Sequence, residues 1–501
     1  MELEYIVVQA GGKGTRMDKL TRNKPKALVP VHNLPMLFHL FRRFPTKKFL
    51  IIGDYKIDVL RKYLSAFADV DYEVIDASGG NGTCSGIVPS LERIPDNSPF
   101  MLIWSDLVLS DKIRFDTLTD GNYVGLSGDF RCRWKFENNV FEEEPSFEYG
   151  VAGMFLFTSK AVIDGVPENG EFVRWLSGKD ISFDTIRMDG AKEYGLISEY
   201  KKLKVSKCRP FNKLVTEDDK VVKTGIDDQG RALAVREKAW YRKVQALGFR
   251  NIPEIFSYEP LTMELIDGSN IYEYKELASE DKKAILDKLV ACLKKLHSYG
   301  SCDYDDASFY DAYLGKTFAR LEKIRELVPF ADRETVVING VECPNVFFCK
   351  DKLEEMFAKF RPRQFVLLHG DCTFSNIVLK YDTEPILIDP RGYFGTTELY
   401  GDVAYDWAKL YYSINGNYDL FNLKQFSLEI NENDVSLDIE SSGWEELSDY
   451  YLELISDDVT SDQIKAIHAI IWLSLTTYAW EDYDSICGAF YNGLLHLKEI
   501  L

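Results

Sequence analysis

The chain has 501 residues, a formal net charge of −20 and an acidic isoelectric point near 4.9, and at roughly 150 residues per domain it is too long for a single ordinary core. Its 46% hydrophobic and 28% charged content fits folded globular units and excludes wholesale disorder. The negative field also excludes a general affinity for nucleic acid or an anionic membrane, so a phosphate-bearing substrate must be drawn in by local basic groups.

Nine cysteines (Cys84, Cys132, Cys208, Cys292, Cys302, Cys343, Cys349, Cys372 and Cys487) are scattered, with no C-x-x-C pair. They read as reduced thiols rather than a zinc or disulfide framework. Met1-Glu2-Leu3-Glu4 enters a strand-like run directly, without the basic and then apolar stretch of a signal peptide. A cytoplasmic protein is expected. The apolar stretch Ala469 to Leu475 falls far short of the ~20 residues that span a bilayer and reads as a buried helix.

From residue 5, β-rich and helical patterns alternate: YIVVQA (5–10), PMLFHLFRRF (35–44), FLIIG (49–53), KIDVLRKYLSAF (56–67), YEVIDA (72–77) and PFMLIWSD (99–106). This rhythm predicts βαβ units and a mostly parallel, Rossmann-like α/β sheet. GVAGMFLF (150–157) adds a strand and EFVRWL (171–176) a helix. The character then changes. KCRPFNKLV (207–215) and KVVKTG (220–225), separated by TEDD, predict a hairpin. A domain boundary is expected near residue 205, giving domains 1–204 and 206–501. The second should be a two-lobed α+β unit, with a small lobe over about 206–268 and a larger one over 269–501. AVREKAWYRKVQAL (234–247) predicts a helix, EIFSYEPLTMELID (254–267) follows, and the remainder reads as mainly helical except for 365–395.

The first strand runs into Gly11-Gly12-Lys13-Gly14-Thr15-Arg16, with Lys26 ten residues after Arg16. Glycines let backbone N–H groups reach phosphates, and an Arg and a Lys beside them neutralise charge that builds at an attacked α-phosphorus. A turn carrying solvated basic residues is the simpler alternative for the loop alone. G-G-x-G-T-R followed by K-P-K-A-L-V-P-V resembles the signature of the sugar-phosphate and phosphocholine nucleotidyltransferases, in register to about residue 204. The resemblance implies that Arg16 and Lys26 are catalytic, and that Gly11, Gly12, Gly14, Thr15, Gly82 and Thr83 bind nucleotide. It also implies that Asp106 and Glu193, the latter within KEYGLISEY (192–200), hold Mg²⁺. Asp189 competes with Glu193 for that position.

FVLLHGDCTFSNIVLK (365–380) followed by PILIDPRG (385–392) sets His369-Gly370-Asp371, Asn376 and Asp389 in order. An Asp can take the proton of a substrate hydroxyl, while an Asn five residues later and an Asp after the next strand can hold Mg²⁺ on a nucleotide. The set strongly resembles the aminoglycoside phosphotransferase and choline kinase superfamily, a protein-kinase-like fold. That resemblance implies Asp371 as the catalytic base, Asn376 and Asp389 as metal ligands, and Lys223 paired with Glu237 at the ATP phosphates. Glu254 and Glu259 are the alternatives to Glu237.

A kinase and a nucleotidyltransferase on one chain suggest successive steps. ATP would phosphorylate a metabolite hydroxyl, and an NTP, whether CTP, UTP or GTP, would then activate the product, with Mg²⁺ at both sites and only small molecules as partners. The CDP-choline pathway is one such pairing, and Trp407, Tyr411, Tyr412, Tyr478 and Trp480 offer aromatic faces for a quaternary ammonium. Their helical spacing favours core packing instead. Arg391, two residues after Asp389, would repel a cation and suits a sugar, polyol or anionic metabolite, unless it merely ion-pairs with an acid such as Glu398. The expected product is an NDP-sugar or related glycan precursor. CDP-choline synthesis and a non-catalytic scaffold are the alternatives.

Overall fold

The computed structural model describes residues 3–203 and 212–501. The backbone groups into two compact units, Met1–Val205 with Glu481–Asp484, and Ser206–Trp480 with Ser485–Leu501. The inferred boundary near 205, with Cys208 and the 207–211 part of the first hairpin strand, lies outside the described residues. The grouping of residues 481–484 with the first unit has no counterpart in the contiguous ranges read from sequence.

In the first unit Tyr5–Gln9 lies between Lys48–Gly53 and Phe100–Trp104, parallel to both, and Tyr72–Asp76 continues the sheet beyond Lys48–Gly53. Ile6, Val7 and Val8 are fully buried, as continuous apolar strands covered on both faces must be. The helices Met36–Arg43 and Ile57–Phe67 bury Met36, Leu37, Leu40 and Phe41, and Ile57, Leu60 and Leu64, the stripe that a period of 3.6 residues directs onto a sheet. Beyond this parallel core the sheet turns antiparallel. Gly150–Phe157 runs against Phe100–Trp104 and Tyr123–Ser127, and the antiparallel hairpin Lys135–Glu137 with Val140–Glu142, together with the strand Asp184–Arg187 running parallel to Tyr123–Ser127, completes nine strands. The C-terminal ends of the four parallel strands share one edge, where α/β sheets place their ligands.

The second unit opens with a four-stranded antiparallel sheet, in the order Asn212–Glu217, Lys220–Gly225, Leu261–Glu264, Ile255–Tyr258. Against it lies the helix Asp228–Ala246, whose Asp227 cap accepts from Gly230 N at 2.7 Å. The rest is built on the helices Ser279–His297, Lys316–Ile324, Val403–Ile414, Ser461–Leu475 and Tyr483–Lys498. The hairpin Ile377–Lys380 with Glu384–Leu387 occupies the interruption expected at 365–395. No helix among the described residues is long and apolar enough to cross a membrane.

The mainly helical reading of the C-terminal part needs a correction. The hairpins Thr335–Ile338 with Val341–Pro344, and Phe426–Ile430 with Val435–Ile439, join in a four-stranded sheet. The signal was present: Asn339-Gly340 divides TVVI from VECP, and both residues adopt positive φ (53° and 75°), as a tight two-residue hairpin turn demands.

Candidate active sites

The ends of the parallel strands converge on a cleft of about 860 Å³ in the first unit. Tyr5–Gln9 delivers Gly11, Gly12 and Arg16, Tyr72–Asp76 leads to Gly82 and Thr83, and Phe100–Trp104 to Asp106, all of which line it. Gly12 has open space where a Cβ would stand, whereas a Cβ on Gly11 would meet Asp54 at 3.0 Å. Gly14 and Thr15 stand outside the cleft lining and begin the short helical turn Thr15–Thr21. Gly82 is pressed against the 170 loop, where a Cβ would fall 2.3 Å from Gly170 O. Thr83 ties the same loops together. Its Oγ1 accepts from Phe172 N at 2.7 Å, and its carbonyl accepts from Gln9 Nε2 at 2.5 Å.

Lys26 Nζ is ion-paired with Asp106, both largely enclosed. Strand pairing brings in the second acid: Lys192–Glu193 runs antiparallel to Leu107–Val108 with Glu193 opposite Leu107, and Tyr194 N donates to Asp106 O at 3.0 Å. Glu193 therefore lines the cleft, whereas Asp189 is exposed beside Arg187 at 3.5 Å. Gly195 marks how tightly the three charged groups meet, since a Cβ there would lie 2.4 Å from Glu193 Oε1, 3.2 Å from Lys26 Nζ and 3.4 Å from Asp106 Oδ2. Burial, and then the Asp106 charge, lift Glu193 above the ordinary carboxylate range, with Lys26 and Arg16 pulling partly back. On the cleft walls, Gln9 Oε1 and the indole Nε1 atoms of Trp104 and Trp134 are buried with no hydrogen-bond partner among the described residues. Such atoms are costly unless a ligand completes them.

The second site lies in the second unit. Lys223 Nζ meets Glu237 at 2.9 Å and Asp389 at 2.7 Å. Of the acids considered as its helix partner, Glu237 is the one in place, while Glu259 pairs with Lys238 at 2.8 Å. Burial pushes Glu237 up to about 7 although the Lys223 ammonium pulls the other way. Asp389 sits at φ 53°, a left-handed conformation that Asp tolerates better than most residues. Asn376 Nδ2 donates to Asp371 Oδ2 and to its carbonyl, both at 2.9 Å. Burial alone would lift Asp371, but the Lys409 ammonium at 2.9 Å, with Arg391 behind it, brings the carboxyl below its ordinary range.

Arg391 does not pair with Glu398. Its Nη1 donates to the Tyr405 hydroxyl at 2.7 Å and its Nη2 to that of Tyr393 at 3.1 Å. Trp407, Tyr411 and Tyr412 are core residues, buried along Val403–Ile414, and Tyr478 lies under the Arg320 guanidinium.

Sequence reasoning missed Asp406, the buried organiser of the loop that carries Asp371. It accepts from His369 N at 2.9 Å and Gly370 N at 2.7 Å, and meets His297 Nε2 at 3.1 Å. Burial would raise it, yet these bonds, His297 first, hold it below the ordinary range. His369 is kept neutral by burial, with Nε2 donating to Ile388 O at 2.9 Å. Lys409 was missed too. The signal was an acid and a lysine, Asp406 and Lys409, set three apart in an otherwise apolar helix.

In both sites the donors are hard oxygens, which suits Mg²⁺. Among the described residues no three His, Cys, Asp or Glu side chains are grouped to cage an ion. Two carboxylates in the first site, and one carboxylate with an amide in the second, fit an ion that completes its shell with nucleotide oxygens and water.

A family profile described as a MobA-like NTP transferase domain matches residues 6–120, and one described as the phosphotransferase enzyme family matches residues 212–423. Among curated proteins, the bifunctional protein GlmU of Methanococcus maripaludis strain C5 is 26% identical over 125 residues, which cover 24% of this chain and 29% of that protein. The chain thus spans under a third of the length of the curated relatives it matches. Among solved structures, HddC from Yersinia pseudotuberculosis is similar at 18% identity and a TM-score of 0.35, covering 40% of this chain and 98% of that one. The CTP:phosphocholine cytidylyltransferase LicC from Streptococcus pneumoniae is similar at 16% and 0.32, with coverage of 40% and 98%. The chain therefore joins an N-terminal MobA-like NTP transferase domain to a C-terminal domain of the phosphotransferase enzyme family.

Proposed function

We propose that this chain is a bifunctional enzyme that phosphorylates a hydroxyl of a small metabolite with ATP and then couples the product to a nucleoside monophosphate, releasing pyrophosphate. The observation that carries the reading is the presence of two complete, separate charge constellations: Lys26, Asp106 and Glu193 around Gly195, and Asp371 and Asn376 with the Lys223–Glu237–Asp389 chain.

In the kinase step Asp371 accepts the proton of the acceptor hydroxyl, whose oxygen bonds to the γ-phosphorus of ATP as the bond to the β-phosphate oxygen breaks. Asn376 orients Asp371, and Lys223, aimed by Glu237, neutralises phosphate charge. In the nucleotidyl step a phosphate oxygen of the product attacks the α-phosphorus of the NTP, and pyrophosphate leaves with the bonding pair. Lys26 and Arg16 balance the charge gathered there, and the Gly11–Gly12 backbone receives the phosphates. Asp106 and Glu193 in the first site, and Asn376 and Asp389 in the second, would hold Mg²⁺, which screens phosphate charge and stabilises the leaving group.

An NDP-sugar or related glycan precursor is the product class best supported. The unpartnered Gln9 carbonyl and two indole N–H groups suit a neutral polar ligand, and Arg391 disfavours a cationic kinase substrate such as choline. A cytoplasmic location belongs to the same reading, because both steps consume nucleoside triphosphates.

The test follows ADP and pyrophosphate separately. Asp371→Asn should abolish ADP formation while pyrophosphate release from a supplied phosphorylated substrate continues, and Lys26→Ala should do the reverse. Loss of both reactions from either folded variant would refute the two-site assignment.

A further inference from the structure

Two helices and one loop of the second unit bring four basic side chains together around Arg391, and two of them, Lys409 and Arg391, act on Asp371. Lys316 and Arg320 stand one turn apart on Lys316–Ile324, Lys409 lies one turn after Tyr405 on Val403–Ile414, and Arg391 follows Asp389 on the loop. Tyr405 joins them: its hydroxyl accepts from Arg391 at 2.7 Å, and its ring centroid lies 5.9 Å from both the Arg391 guanidinium and the Lys409 ammonium. Arg320 is anchored by donation to Ser474 O at 2.6 Å and Oγ at 2.9 Å.

Lys316 is the unusual member. Its ammonium has no hydrogen-bond or ion-pair partner among the described residues. Burial first, and then the charges of Arg391 and Arg320 with a smaller push from Lys409, drag it down to about 6, opposed by Asp311. Burial and Arg391 also lower Arg320. Asp311 is the acid that opposes the shift of Lys316, and Asp371 is already committed to Lys409 at 2.9 Å. Like charges gathered in a partly buried site repel and are poorly hydrated, so the arrangement is incomplete without an anion.

We infer that the acceptor of the phosphoryl-transfer site carries an anionic group, a phosphate monoester or a carboxylate, which docks on Lys316, Arg320 and Arg391 while its hydroxyl reaches Asp371. The inference rests on the kinase reading and narrows it to a substrate class. The cluster serves the acceptor and not the ATP phosphates, because the nucleotide-side charges Lys223, Glu237 and Asp389 are paired among themselves. No hydrogen bond or ion pair among the described residues joins that trio to the four cations. A quaternary ammonium would add a further positive charge to the cluster, and a neutral sugar would do nothing to hold the proton on Lys316.

The experiment uses the full chain with Mg-ATP and follows ADP with three acceptor sets: glucose 6-phosphate, mannose 6-phosphate, glycerate and gluconate; glucose, mannose and inositol; choline and ethanolamine. Turnover confined to the first set is expected, and its phosphate and carboxylate members separate the two anion sources. Lys316→Gln, at a partly exposed position, and Arg320→Gln should each raise the acceptor KM about tenfold or more, with kcat and the ATP KM moving far less. ADP formation on a neutral or cationic acceptor, at a KM that Lys316→Gln leaves untouched, overturns the anion assignment and spares the kinase. A rise in the ATP KM instead of the acceptor KM also overturns it.

Absence of ADP with every acceptor, in protein that still binds Mg-ATP, counts against the kinase reading itself. The anion site is then read directly from the rate at which an amine-acylating reagent labels Lys316, with and without inorganic phosphate or malonate, by peptide mass spectrometry. At least about fivefold slower labelling with either anion supports the site, since an anion restores the proton and removes the nucleophile. Labelling that neither anion changes overturns it.

Discussion

The two units hold a carboxylate at their candidate sites in opposite ways. In the first, Asp106 faces a cleft whose floor is made of missing atoms: Gly12 leaves open space and Gly195 lets Lys26, Asp106 and Glu193 close around one point. In the second, Asp371 is held by added atoms, with Lys409 and Asn376 in contact and Asp406 buried behind the loop, gripping two successive backbone N–H groups. The first design is sensitive to anything that grows, and the second to anything that is removed.

The largest effect is expected where the second design is cut. Asp406→Ala leaves two buried N–H groups and His297 without their acceptor, so a loss of about 2–5 kcal/mol is expected, along with kinase activity. Denaturant unfolding and ADP formation measure the two. Asp406→Asn separates them, because it can keep one acceptor and the fold while disturbing the loop. Pyrophosphate release that fell in parallel with ADP formation would break the contrast between the sites.

An intermediate effect is expected where the first design is filled. Gly195→Ala places a methyl group against Glu193 Oε1, which must swing away, and the nucleotidyl step should fall about a hundredfold with ADP formation retained. The smallest effect is electrostatic. Lys316 is pulled below its ordinary range to about 6, so between pH 6 and the usual lysine range the unfolded chain binds more protons than the folded one, and stability rises with pH. Lys316→Gln removes that contribution. Its stability relative to wild type should be most favourable near pH 6 and decline as pH rises, as denaturation midpoints taken from pH 6 to 9 would record.

Much of the fold was legible because it follows from local periodicity. The strand and helix patterns between residues 5 and 106 appear almost where their apolar spacing puts them, from Tyr5–Gln9 to Phe100–Trp104. The two C-terminal hairpins were missed because short amphipathic runs within a helical context are outweighed by their neighbours, although Asn339-Gly340 was a readable turn. At the sites, the residues named from motifs were those whose neighbours in sequence share the task, such as Asp371 with Asn376 and Gly11 with Gly12. Asp406, Lys316 and Arg320 lie on helices remote in sequence from the motifs, and the polar pair of Asp406 and Lys409 in an apolar helix was the one local hint.

The sequence by itself determined two transferase units of different kinds and the candidate side chains that sit inside their motifs, since glycine loops and Asp–Asn spacing constrain the backbone directly. Only the tertiary structure decided that Glu193 rather than Asp189 joins Asp106, that Glu237 rather than Glu259 pairs with Lys223, and that four basic side chains gather around Arg391. Each of those depends on strand register or on which helix faces pack together, and pairing and packing are properties of distance in space that no local spacing encodes.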